Sequence, residues 1–272
     1  MRTAMPSDTP RLRRFFPRVV SAIVVALGVA LLEIKGFFAA LFVNPFEGFG
    51  AAQYTVAGGS ILLTIAAYAW QKYPIGLIVG FVVITLIHEI GHAIVIRAKG
   101  LRAGFLVFIP FIGGAVTLKD QPRSAYDDAQ IGLAGPIFGT AACLIVLQIY
   151  KWTGSSVWLA IAAMGFLLNL INLLPIGMLD GGRISGAVTK WMWVFGGAVL
   201  VYQAIKRPNP LLILTLVLAA FQVYASIVRE DDESFYDVTL GQRAGIAAAY
   251  FILVVFLGHQ TYLALTRLAM AK

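Results

Sequence analysis

Charge is what this sequence has least of. Of its 272 residues only 12% are Asp, Glu, Lys or Arg, against 60% hydrophobic, and the mean hydropathy is +0.84. A soluble domain carries about 25% charged residues, so this chain cannot cover a globular surface with polar groups, and its solvent is largely lipid. There is one cysteine, Cys143, set in an apolar run. That excludes an internal disulfide and a thiolate metal cluster, and Cys143 reads as a small buried hydrophobe. No polar stretch is long enough to fold as a separate soluble module, and no long repeat or low-complexity tract interrupts the pattern. The expectation is a compact form without a PDZ or CBS module.

What charge there is has a net value of +8. Its placement speaks for lipid rather than nucleic acid. Arg2, Arg11, Arg13, Arg14 and Arg18 crowd the N-terminal tail, and most other cations fall between apolar runs, where topology signals and headgroup contacts belong. A span needs about 20 apolar residues. Runs of that kind occupy 19–43, 54–70, 75–97, 131–150, 156–177, 191–205, 210–228 and 245–266. The run at 191–205 is short, and 19–43 is interrupted by Glu33 and Lys35. The expectation is an all-α polytopic membrane protein with six to eight transmembrane segments. It divides into a basic tail at 1–18, N-terminal transmembrane segments at 19–73, a core at 74–190 and C-terminal transmembrane segments at 191–272.

Between the third and fourth runs, Leu101 to Gln121 is apolar but broken by Gly104, Pro110, Gly113 and Gly114. This pattern predicts a short membrane-associated hairpin rather than a helix. Irregular backbone at membrane depth persists only where protein or a water-filled cavity satisfies its amides and carbonyls, so a cavity is implied.

The third run contains His88-Glu89-Ile90-Gly91-His92. On a helix, positions four apart share a face, so both imidazoles reach one metal ion with Glu89 beside them. The chain has three histidines in all, and two are here. An ionisable residue at membrane depth costs about 2.5 to 3.5 kcal/mol on insertion scales and marks function by default. The alternative is a pair of packing histidines with Glu89 in an ion pair. A third ligand has to come from another helix, since a catalytic zinc takes three protein ligands and leaves a position to water. Asp180 stands out in the stretch from Asn172 through Pro175 and Gly177 to Asp180-Gly181-Gly182-Arg183. Pro175 and Gly177 end or unwind the helix there. By itself the Asp180 segment also reads as a polar turn at the membrane surface.

Taken together, His88, Glu89, His92, Asn172, Pro175, Asp180, Gly181 and Gly182 resemble, in order, the HExxH and NxxPxxxxDGG segments of the site-2 protease family of intramembrane zinc metalloproteases. Ile109 to Gly114 looks like the family's membrane-associated hairpin, and Ala134-Gly135-Pro136 like the start of its next helix. The resemblance covers about residues 75 to 190. It implies one zinc per chain held by His88, His92 and Asp180, Glu89 as general base, and Asn172 as a donor to the developing oxyanion. Asn169, three residues earlier on the same face, is a second candidate, with interhelical hydrogen bonding as its other role. The implied substrates are transmembrane proteins, and the compartment a bacterial inner membrane. Gly113 and Gly114 allow close approach of a substrate backbone, or form the turn of the hairpin.

Arg97, Lys99, Arg102, Lys119 and Arg123 place the end of the HExxH helix, and the zinc with it, toward the cytoplasm. The basic N-terminus votes the same way. Two crossings before Tyr73 would instead return the chain to the cytoplasm too early, so either one early run does not cross or the N-terminus is outside. Arg229 to Glu233 reads as a solvated loop, and His259 as a packing histidine. A catalytically silent metal-binding protein and a metal-ion transporter are the rival functions. A transporter would repeat polar residues through successive helices, whereas here they gather at one place.

Overall fold

In a computed structural model the described residues are 44–207, apart from 112, 178 and 190, and 233–270, with isolated positions between. The run at 19–43, most of the run at 210–228 and the loop at 229–232 lie outside them. Seven α-helices and one two-stranded hairpin occur among the described residues. Helix α1 (Ala51–Trp70) and helix α2 (Ile75–Ala98) are followed by β1 (Ala103–Ile109) and β2 (Gly113–Leu118). Helices α3 (Ala125–Thr153), α4 (Ser156–Asn172), α5 (Asp180–Val188), α6 (Trp191–Lys206) and α7 (Leu240–Met270) complete the set.

Three of these helices, α2, α3 and α7, are long and apolar enough to cross a membrane, and α4 is a shorter apolar helix of 17 residues. Their outward faces carry exposed Val79, Val83, Ile145, Ile252 and Val255, a surface suited to acyl chains rather than water. The inward faces of α2, α3, α4, α5 and α7 meet in one core around Ile84, Leu133, Ala162, Phe166, Ile184 and Ile246.

Local chemistry sets the ends of these elements. Pro74 opens α2, where its missing N–H costs nothing. At the far end Leu101 N–H reaches back to the Ile96 carbonyl in a Schellman closure. Ser124 caps α3, its hydroxyl accepting from the Asp127 amide at 3.2 Å, and Asp127 and Asp128 complement the helix dipole in the first turn. The run at 156–177 does not continue as one helix. α4 stops at Asn172, the chain turns through Pro175, and a nine-residue helix starts at Asp180.

The hairpin pairs antiparallel, with Leu106 opposite Val116 and Phe108 opposite Gly114. Leu106 and Phe108 pack with Ile78 and Val82 of α2 and with Ile61 and Ile65 of α1. The Phe108 amide, on the edge of β1 away from β2, donates to Ser60 Oγ of α1 at 3.0 Å. α1 therefore satisfies the outer edge of the hairpin, and β2 is the strand that lies toward α2.

Candidate metal centre

His88 and His92 project from one face of α2 toward Asp180 at the first turn of α5. The His88 and His92 Nε2 atoms are 3.1 Å apart. Asp180 Oδ2 is 3.1 Å from His88 Nε2, and Oδ1 is 3.1 Å from His92 Nε2. One ligand atom from each of the three residues lies within 4.8 Å of the others, close enough to share one ion whose bonds are about 2 Å, the length of a zinc–imidazole or zinc–carboxylate bond. All three residues are buried, at 2%, 4% and 8% relative exposure.

The imidazole tautomers are fixed from behind. His88 Nδ1 lies 2.8 Å from Asn169 Oδ1, and Asn169 Nδ2 donates to the Gly165 carbonyl at 2.7 Å, so the amide presents its oxygen to the ring. His92 Nδ1 lies 2.7 Å from the Ile131 carbonyl. Both acceptors require Nδ1–H, which leaves both Nε2 lone pairs aimed at Asp180. Two carboxylate oxygens in this buried place, Glu89 Oε2 and Asp180 Oδ2, lack a hydrogen-bond partner. Buried carboxylates left this way are costly, and a cation with a bound water is the group that would satisfy them. The donor set fits zinc on chemistry as well, since two imidazoles and one carboxylate with room for water is a catalytic rather than a structural set.

Two glycines let the surrounding backbone come this close. A Cβ on Gly135 of α3 would fall 2.2 Å from His92 Nε2 and 2.6 Å from His88 Nε2, so the helix backbone forms the wall behind the three donors. A Cβ on Gly114 of β2 would fall 2.7 Å from Glu89 Cγ and 2.9 Å from Oε1. The Val116 backbone also hydrogen-bonds to the Glu89 carboxylate. β2 thus runs directly against Glu89.

Comparison with known proteins points the same way over the central part of the chain. The family model described as Peptidase family M50 matches residues 76–153 and 147–195. Over that stretch, which is less than half of the chain, the sequence is similar to this family, that of the site-2 proteases. Among similar curated proteins, the "Zinc metalloprotease MJ0392" of Methanocaldococcus jannaschii is 22% identical over 148 residues, which are 53% of this chain and 43% of that protein. The "Putative zinc metalloprotease Rip3" of Mycobacterium tuberculosis is 30% identical over 124 residues, 40% of this chain and 28% of that one. The chain thus spans less than half the length of either relative.

The M50 match contains every residue that the sequence singled out for chemistry. The structure brings His88, His92 and Asp180 together, with Glu89 beside them. Gly114 faces Glu89, whereas Gly113 has a φ of +130° and serves the turn. Asn172 ends α4 and is half-buried, one turn beyond Asn169. Asn169 itself holds His88, which is the interhelical bond expected of it, now with its partner named. His259 is exposed on α7 and, among the described residues, lies outside the cluster.

Proposed function

We propose that this protein is an intramembrane zinc metalloendopeptidase that hydrolyses peptide bonds within or near the transmembrane segments of other membrane proteins. The observation that carries the reading is the buried cluster of His88, His92 and Asp180, in which each imidazole Nε2 lies 3.1 Å from an Asp180 oxygen, with the unpartnered Glu89 Oε2 beside it. One zinc per chain, when bound, would supply the Lewis acidity that lowers the pKa of water toward about 7 and polarises a carbonyl.

The chain's own residues do the rest. Glu89 Oε2 accepts the proton of the attacking water and passes it to the leaving nitrogen, so no base need enter from solvent. The Asn172 amide donates to the oxygen on which charge develops. Asn169 and the Ile131 carbonyl keep the imidazoles from turning or changing tautomer during turnover.

A helical peptide bond is shielded by its own hydrogen bonds and has to be unwound before attack. An extended substrate pairing with the edge of β2 would regain the bonds lost on unwinding, and it would lie against Glu89. The Ser60 contact on β1 favours β2 as the docking edge. The basic residues Arg97, Lys99, Arg102, Lys119 and Arg123 follow His92 closely, which supports an active site toward the cytoplasmic face of a bacterial inner membrane.

The test is cleavage of single-span membrane proteins by the purified protein in detergent or vesicles. The reading predicts cleavage that stops with a chelator, returns with zinc, and is absent on the same proteins with their spans removed. Chelator-insensitive cleavage, or no cleavage of any spanning protein with zinc bound, would contradict it.

A further inference from the structure

His88 and His92 are set by a 24-residue helix, but Asp180 opens a nine-residue helix that follows an irregular turn. A short, glycine-bearing helix after a proline has little rigidity of its own. Something else has to fix the distance from Asp180 to the imidazoles. On one side α3 contributes Asp128, which bonds Arg183 Nε at 2.9 Å.

On the other side lies α7, outside the matched stretch of 76–195. Tyr250 Oη donates to the Leu173 carbonyl at 2.8 Å in a buried contact. That carbonyl is among those left without an intrahelical partner where α4 breaks. It also touches the turn that carries Asp180, because a Cβ on Gly181 would fall 2.2 Å from the same oxygen. Seven residues earlier in α7, the Arg243 guanidinium donates to the carbonyl of Val188, the last residue of α5. Arg243, fully buried Ile246 and Tyr250 share one face of α7. One helix face therefore grips the segment 173–188 at both ends, with Asp180 between the grips.

We infer that Tyr250 and Arg243 are positioning residues for Asp180, so that α7 completes the metal centre without touching it. This rests on the reading that His88, His92 and Asp180 bind zinc. Tyr250→Phe keeps the ring and removes only the donor to Leu173. Arg243→Met removes the donor to Val188, and Arg243→Lys keeps one.

The experiment measures zinc affinity by chelator competition, and melting temperature, on the purified full chain. Tyr250→Phe and Arg243→Met are each expected to weaken zinc binding by about tenfold, the low end of the range for outer-shell partners of a metal site. Arg243→Lys is expected to stay within about threefold of wild type, well inside that range. Leu257→Ala, a cavity two turns further along α7, controls for generic loosening. It is expected to lower the melting temperature and leave zinc affinity unchanged.

Wild-type affinity in both Tyr250→Phe and Arg243→Met would overturn the inference, and so would an equal loss in Leu257→Ala. Should Tyr250→Phe not fold, Arg243→Met against Arg243→Lys decides. If wild type and His88→Ala bind zinc alike, the underlying reading of the centre fails instead, so the two failures are distinguishable.

Discussion

Asn169 offers the sharpest perturbation because it stands behind His88 and is not itself among the candidate metal-binding residues. Its Oδ1 lies 2.8 Å from His88 Nδ1, its Nδ2 is tied to Gly165, and the side chain is fully buried between α2, α3 and α4. Asn169→Ala leaves His88 Nδ1–H without an acceptor in a place water does not reach. An orphaned buried donor costs about 1 to 3 kcal/mol. The ring can escape that cost by moving its proton to Nε2 or by turning, and either change removes a ligand atom from the cluster. Expressed as metal affinity, losing such an outer-shell partner is worth about 10- to 100-fold, or about 1.4 to 2.7 kcal/mol. The two estimates come from independent kinds of measurement and agree. Asn169→Asp retains an acceptor oxygen for His88 but sets its other oxygen, acceptor against acceptor, beside the Gly165 carbonyl; with the His88 acceptor kept, it should bind zinc more tightly than Asn169→Ala. Competition with a chromogenic chelator on the detergent-solubilised protein reads both. An Asn169→Ala variant holding zinc within about twofold of wild type, well short of that outer-shell range, would refute the argument that this amide sets the tautomer.

Other consequences follow from the hairpin. Gly114→Val places a branched side chain where a single Cβ already meets Glu89 at 2.7 Å. Cleavage should fall by at least about tenfold, the effect of roughly 1.4 kcal/mol on a barrier, while zinc content is retained; full activity would remove β2 from the account of substrate docking. At the hairpin base the Arg102 guanidinium grips Asp120, with further help from the Arg102 amide at 2.7 Å, and holds its carboxyl down to about 2. A depressed carboxyl stabilises the fold above its unfolded pKa and loses that contribution as pH falls through the folded value. The Asp120 resonance in NMR should therefore titrate near pH 2 in wild type and return toward about 4 in Arg102→Met; an unchanged midpoint would show that Arg102 is not the cause.

Much of the site is legible in the sequence because its chemistry demands fixed spacings. His88, Glu89 and His92 declare a helix face, and Asp180 is conspicuous because carboxylates are rare beside apolar runs. The hairpin was readable from Gly and Pro spacing. What lies behind the ligands was not. Asn169 reads as a polar residue in search of an interhelical bond, and only the packing of α4 on α2 reveals that its partner is His88. Gly135 reads as part of a helix start, yet its reason is the 2.2 Å that a Cβ would leave to His92. The short helix at Asp180–Val188 is hidden by three glycines in nine residues, each of which lowers helix propensity; it is held by neighbours on α3 and α7 rather than by its own preference. Tyr250 lies in an apolar run that gives no hint of its bond to Leu173. The crossing count is legible only coarsely, since composition finds apolar runs without deciding which of them cross.

The most direct test of the central claim is one comparison on zinc-loaded protein. In the proposed mechanism Glu89 is a base and not a ligand, so Glu89→Gln should retain one zinc per chain while cleavage of a single-span substrate falls to background. A Glu89→Gln protein that still cleaves at the wild-type rate with its zinc in place would contradict the account.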